Sequence, residues 1–105
     1  MDKFHNLIKD DQFIIIPRSK NKYFDNQFKL NKNDKKNMLL MLDKNDMKYL
    51  VKDKDFIRFG NGLLFVFKKN YKLIDLYGRE RNECLYIKIK NNENNLPIIS
   101  FHLDE

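Results

Sequence analysis

The strongest constraint on this chain is the alternation in CLYIKIK. Leu85, Ile87 and Ile89 take every second place, and Tyr86, Lys88 and Lys90 take the places between. Side chains two apart share one face of a strand, so the spacing specifies a β-strand with one buried and one polar face. A packed sheet needs only one apolar face, which leaves the other free to carry chemistry. In the closing LPIISFHL, Ile99, Phe101 and Leu103 alternate with Ile98, Ser100 and His102. If the intervening NNENN is a hairpin loop, both polar sets share one open face.

Two further stretches read as strands. GLLFVFKK is nearly all apolar before Lys68, as expected of a central strand covered on both faces, and the GNG before it marks a turn. KNYKLIDLYG follows after a tight turn at Lys69 and Asn70, which makes the two a hairpin. The first half reads mostly helical. Phe4, Leu7 and Ile8 have helical spacing, and QFIIIPR is a β-branched run that Pro17 ends. NKNDKKNMLLMLDK offers Asn31 or Asn33 as N-cap and Met38, Leu39, Met41 and Leu42 as a buried stripe. NDMKYLVKD gives a second cap and a short helical turn or connection carrying Lys48 and Tyr49. The expected fold is α+β, with N-terminal helices packed on one side of a mostly antiparallel sheet of about four strands. With no internal repeat, linker or break in composition, residues 1–105 read as one domain.

Twenty-one basic side chains against fifteen acidic ones give a net charge of +6, which favours a polyanionic partner. Lysine abundance is discounted, because Lys, Asn, Ile, Phe and Tyr are frequent while Ala, Thr and Trp are absent, as an A+T-rich coding sequence produces. The arginines Arg18, Arg58, Arg79 and Arg81 run against that bias, and a guanidinium fork grips phosphate as lysine does not. A lone cysteine, Cys84, and two distant histidines give no disulfide and no metal-ligand pattern, so no metal or cofactor is expected. The first residues carry charges where a signal peptide needs an apolar stretch, and MLLML and LLFVF are too short to span a bilayer. The expectation is a reduced, cytoplasmic protein with no membrane partner.

RNA can be cut without a metal because its own 2′-hydroxyl attacks the neighbouring phosphate. The enzyme supplies a base for that hydroxyl, a cation for the phosphate charge and an acid for the departing 5′-oxygen. Tyr86, Lys88, His102, Arg79 and Arg81 include all of these types. The plainer readings stand beside this one. Exposed strands of a Lys-rich protein carry Tyr and Lys by chance, His102 fits a solvent-facing position, His5 fits a helix surface, and Cys84 fits a small buried or edge side chain.

Four stretches add a resemblance: FIIIPRSKN, MLLMLDKNDMKYL, LIDLYGRERNECLYIKIK and PIISFHLDE. Together they run from about Phe13 to the end, and in this order the chain resembles the MqsR family of toxins from type II toxin–antitoxin systems, which are RelE-like ribonucleases. The resemblance implies an mRNA endoribonuclease, an mRNA interferase that inhibits translation and growth until a cognate antitoxin neutralises it. Its partners are then mRNA and the antitoxin, with the ribosome left open. The family's active-site tyrosine falls on Tyr86. A basic residue near the end of the last strand corresponds to His102, where the best-known member has lysine. A family lysine aligns near Lys48, with Tyr49 in the strict register, and a family glutamine falls on Ile74, which does no polar work. The chain also carries a longer insertion, roughly VKDKDFIRFGNGLLFVFKK. The expected catalytic residues are His102, Tyr86 and Lys48, with Arg79, Arg81, Lys88 and Arg18 binding RNA phosphate. The alternative is a non-enzymatic basic binding protein, such as a phage-encoded inhibitor of a host nucleic-acid-handling complex. A toxin-like domain that has lost activity and serves as a regulator is the third reading.

Overall fold

The computed structural model describes residues 2–52, 63–90 and 94–104. The expected GNG turn at residues 60–62, Arg58 and residues 91–93 of the NNENN loop lie outside the described residues. Among these residues three helices, α1 (Asp2–Lys9), α2 (Ser19–Asp25) and α3 (Lys32–Leu40), accompany five strands, β1 (Phe13–Ile15), β2 (Met47–Lys52), β3 (Leu63–Ile74), β4 (Glu80–Lys90) and β5 (Leu96–Leu103). The strands form one sheet in the order β1-β5-β4-β3-β2. β2, β3, β4 and β5 pair antiparallel, whereas β1 joins the edge of β5 in parallel. The fold is therefore α+β as expected, but with a mixed sheet of five strands in place of about four. Among the described residues no helix is long and apolar enough to cross a membrane.

The alternation of β4 buries Leu85, Ile87 and Ile89 completely. Helices cover this face, each secured by its own contact. Phe4 of α1 stacks on Phe67 of β3, with ring centroids 5.9 Å apart. Phe24 of α2 packs edge-on against Phe101 of β5 at 5.7 Å. From β3, the Tyr71 hydroxyl donates to the Met38 carbonyl of α3 at 2.7 Å. Burial, with the added effect of the Asp46 charge, pushes that hydroxyl far above the ordinary tyrosine range, so it remains a donor. Of the expected α3 stripe, Met38, Leu39 and Leu42 are buried and Met41 is exposed. Asn31 is the N-cap, in a reciprocal capping box with Asp34.

Several expected boundaries are corrected. There is no turn at Lys69 and Asn70. β3 continues through both, pairing Lys69 with Leu85 and Asn70 with Cys84. The reversal lies at Asp75–Gly78, where the Asp75 carboxylate accepts the backbone N–H groups of Tyr77 and Arg79, both at 2.9 Å, and Gly78 takes φ +81°. That φ suits glycine, and an aspartate that bonds the backbone two residues on is a strong turn former. The segment after Asp43 forms a single 3-10 turn, Lys44–Asp46, and then becomes β2, so Lys48 and Tyr49 stand on a strand and not on a helical turn.

A second correction concerns β5. Lys88 pairs with Ser100 and Ile89 with Ile98, which leaves Ile99 as an extra residue, a β-bulge. The bulge reverses the phase of the strand. Ile98 joins Phe101 on the core side, while Ile99, expected there, turns with Ser100 and His102 toward the other face.

β1 leaves the edge of β5 after Ile98, and Asn21 of α2 takes over its pairing. Its amide donates to the carbonyls of Ile16 (2.8 Å) and Ile99 (3.0 Å) and accepts the N–H of Phe101 at 2.8 Å. Asn21→Ala leaves these buried backbone groups unpaired and is expected to cost about 3 kcal/mol. The check is a urea titration with a lower midpoint and unchanged slope. A shift below about 0.5 kcal/mol, the ordinary scatter of surface changes, would show that the amide does not clamp this edge.

Candidate functional site

The face of the sheet opposite the helices divides in two. Toward one end Leu64, Val66 and Lys90 are buried. Toward the other a groove of about 520 Å³ opens across β3, β4 and β5. The registers place Lys68 opposite Tyr86 and Tyr86 opposite His102, one row across three strands. The Tyr86 and His102 rings stack with centroids 5.6 Å apart and planes 19° from parallel. Lys88 and Ser100 form the next row and also line the groove. Arg18 and Lys20, around the start of α2, form the remaining basic wall, held over the strand by Asn21 between them and the sheet edge.

The tautomer of the neutral His102 ring follows from its contact. Nδ1 lies 2.8 Å from the Leu103 carbonyl, an acceptor only, so Nδ1 carries the hydrogen. In the neutral ring Nε2 is then the nitrogen with a lone pair, the form required of a general base. Lys68 is ion-paired with Asp104 at 3.3 Å, and the Asp104 N–H donates to the Cys84 carbonyl at 2.9 Å, which fixes the carboxylate beside the row. Among the described residues Asp104 is the one carboxylate lining the groove, against Arg18, Lys20, Lys68 and Lys88.

Of the residues expected from sequence, the structure brings together Tyr86, His102, Lys88 and Arg18. It does not bring Lys48, Arg79 or Arg81 to them. Lys48 sits at the register shift of β2, at the opposite edge of the sheet. Arg81 lies opposite the buried Leu73, on the helix side, where it pairs with Glu83 at 2.8 Å and rests over the Phe28 ring at 5.0 Å. Arg79 is bound to Asp75 at 2.9 Å and lies over the Tyr77 ring at 5.2 Å. His5 is on α1, half-buried, with Nε2 2.7 Å from the Leu42 carbonyl. Cys84 is a half-buried free thiol. Sequence reasoning missed Lys68, Lys20 and Asp104. Lys68 was findable, because a turn centred on Asp75–Gly78 sets the register that places it beside Tyr86.

Comparison of the chain with known protein families, with curated proteins and with solved structures finds no match.

Arg79 does its work in the turn. Burial alone would raise the Asp75 carboxyl. The N–H groups of Arg79 and Tyr77 and the Arg79 guanidinium outweigh burial and hold it below its usual value. A depressed carboxyl contributes stability above its unfolded value of about 3.9 and loses it as the pH falls through the folded one. Asp75→Asn is therefore expected to be less stable than wild type at neutral pH, with the difference shrinking below about pH 4. Thermal melts from pH 7 to pH 2.5 check this, and a difference independent of pH would contradict it.

Proposed function

We propose that this chain is a type II toxin of the MqsR kind, a cytoplasmic mRNA endoribonuclease with a RelE-like fold, neutralised by a cognate antitoxin. The observation that carries the reading is the row Lys68–Tyr86–His102 on the floor of a groove with a basic wall. The helix-backed antiparallel strands and the resemblance of four segments support the same reading.

In the proposed reaction His102 Nε2 accepts the proton of the 2′-hydroxyl as the 2′-oxygen bonds to phosphorus. The bond from phosphorus to the 5′-oxygen breaks, and that oxygen takes a proton from the Tyr86 hydroxyl. The products are a 2′,3′-cyclic phosphate and a 5′-hydroxyl. The tyrosinate and imidazolium then exchange a proton, directly or through water, across the stacked pair. Arg18 and Lys88 neutralise the phosphate, and Lys68 exchanges Asp104 for a phosphate oxygen as charge accumulates. Arg79, Arg81 and Lys48 have no part in this division of labour.

The test is induction of the chain in growing cells, with transcript 5′-ends mapped from the same cultures. The wild type is expected to arrest growth and leave recurrent cuts. His102→Ala and Tyr86→Phe should each lose at least about 100-fold in single-turnover cleavage, the usual scale of a lost proton-transfer group. Unchanged cleavage in either variant removes that residue from the mechanism. A soluble, folded wild type that leaves growth and transcripts intact replaces this reading with the non-enzymatic binding protein.

Salt dependence separates the groove from the hairpin tip. Replacing Arg18 and Lys88 by Gln is expected to lower the slope of log affinity for single-stranded RNA against log salt by about 1.4, at roughly 0.7 per cation. The same change at Arg79 and Arg81 should leave the slope unaltered. A fall in slope at the second pair, with none at the first, would move the RNA path to the tip.

A further inference from the structure

A second hollow, of about 330 Å³, adjoins the groove, and His102 and Lys20 line both. Phe24 forms its buried apolar floor, fixed between Phe28 (centroids 5.0 Å apart) and Phe101 (5.7 Å). Tyr23 stands on its rim, 61 % exposed. An aromatic ring so exposed beside cationic side chains is a common platform for flat ligands.

Gln27 supplies the polar element. Its backbone is fixed, since the N–H donates to the Phe24 carbonyl at 3.0 Å and its carbonyl accepts the Leu76 N–H at 3.2 Å. Yet its side-chain oxygen Oε1 is buried with no hydrogen-bond partner, the one such atom among the described residues. A buried acceptor left unpaired is a standing cost to the fold, and a ligand that supplies an N–H offsets it. Gln27 is among the residues that line the hollow, and no hydrogen bond fixes which way round its amide stands.

We infer that this hollow is a nucleobase subsite, which takes the base of the nucleotide next to the phosphate held in the groove. The occupant is flat, stacks on Tyr23 above Phe24 and pairs its edge with the Gln27 amide. Single-stranded RNA is read in this way, by stacking on aromatic side chains and hydrogen bonding to base edges. Lys20, shared by both hollows, spans the step from phosphate to base. The inference rests on the ribonuclease reading for its choice of RNA and adds a determinant of where the strand is cut.

The test uses the full chain and fully 2′-O-methylated RNA pentanucleotides, which have no attacking hydroxyl and so report binding alone. An abasic residue is moved through the five positions. At one position it is expected to weaken binding about tenfold, as loss of one base–aromatic stack does. Tyr23→Ala should weaken the intact pentamer about equally and should add nothing with the abasic RNA, so that the two losses do not multiply. Gln27→Leu removes the unpaired acceptor at similar volume. It should raise the melting temperature while reducing discrimination among the four bases at that position.

If the Tyr23 and abasic losses multiply in full, or Tyr23→Ala binds as wild type does, the subsite is overturned. Failure of the pentamers to bind overturns it as well. An unchanged base preference in Gln27→Leu overturns the assigned role of that amide. Cleavage of the matching unmodified RNA is scored separately. Non-additive binding without cleavage keeps the subsite and removes the ribonuclease, and cleavage without coupling does the reverse.

Discussion

A single side-chain amide joins three parts of this fold. β5 loses its parallel neighbour after Ile98, and the exposed edge that follows would present the Ile99 carbonyl and the Phe101 N–H with nothing to pair them. Asn21 has the required inventory of two N–H donors and one carbonyl. It spends the donors on Ile16 and Ile99 and the acceptor on Phe101. An aspartate in its place would lack the donors, and an apolar residue would leave buried backbone groups unpaired. Since Arg18 and Lys20 come just before Asn21, the bond set that closes the sheet edge also sets the basic wall beside His102.

The bulge at Ile99 completes the arrangement. Side chains alternate with a period of two, so one added residue exchanges the two faces for everything beyond it. Without it, Ile98 on the core side would require Ser100 and His102 there as well, with Phe101 in the groove. With it, Ile98 and Phe101 both enter the core, and His102 stands opposite Tyr86. The bulged residue is also the one to whose carbonyl the Asn21 amide donates. The phase change and the edge clamp therefore support each other: the bulge exposes the carbonyl, and the amide makes that exposure tolerable.

Much of this was legible where local pattern and tertiary demand coincide. The alternation of β4 and an α3 cap at Asn31 or Asn33 follow from spacing, and so does the sharing of one face by Tyr86 and His102 once β4 and β5 form a hairpin. What escaped was decided elsewhere. SKNKYFD has no apolar periodicity to announce α2, and the helix is held by the Asn21 clamp and by Phe24. The polar pair Lys69 and Asn70 resembled a turn, but the Asp75 carboxylate and Gly78 make the stronger one twelve residues after Leu63. Misplacing that turn hid Lys68 and gave Arg79 and Arg81 a position next to the site in sequence that they do not have in space. β2 was masked by a genuine capping box at Asp43, which ends after one 3-10 turn.

The arrangement of acidic residues says more about charge than the count of lysines does. Arg79, Arg81, Lys35, Lys36 and Lys69 each have a carboxylate within ion-pair distance, so they present little uncompensated charge to a partner. Among the described residues Arg18, Lys20 and Lys88 have none, and all three line the groove, where Asp104 is the single carboxylate and is already engaged by Lys68. A cation without a partner gains most when an anion arrives, because no existing pair has to be broken. An excess of +6 spread evenly over a surface would attract polyanions without placing them. In the groove three such cations, with a single carboxylate already engaged by Lys68, place part of that attraction beside the only stacked tyrosine–histidine pair among the described residues.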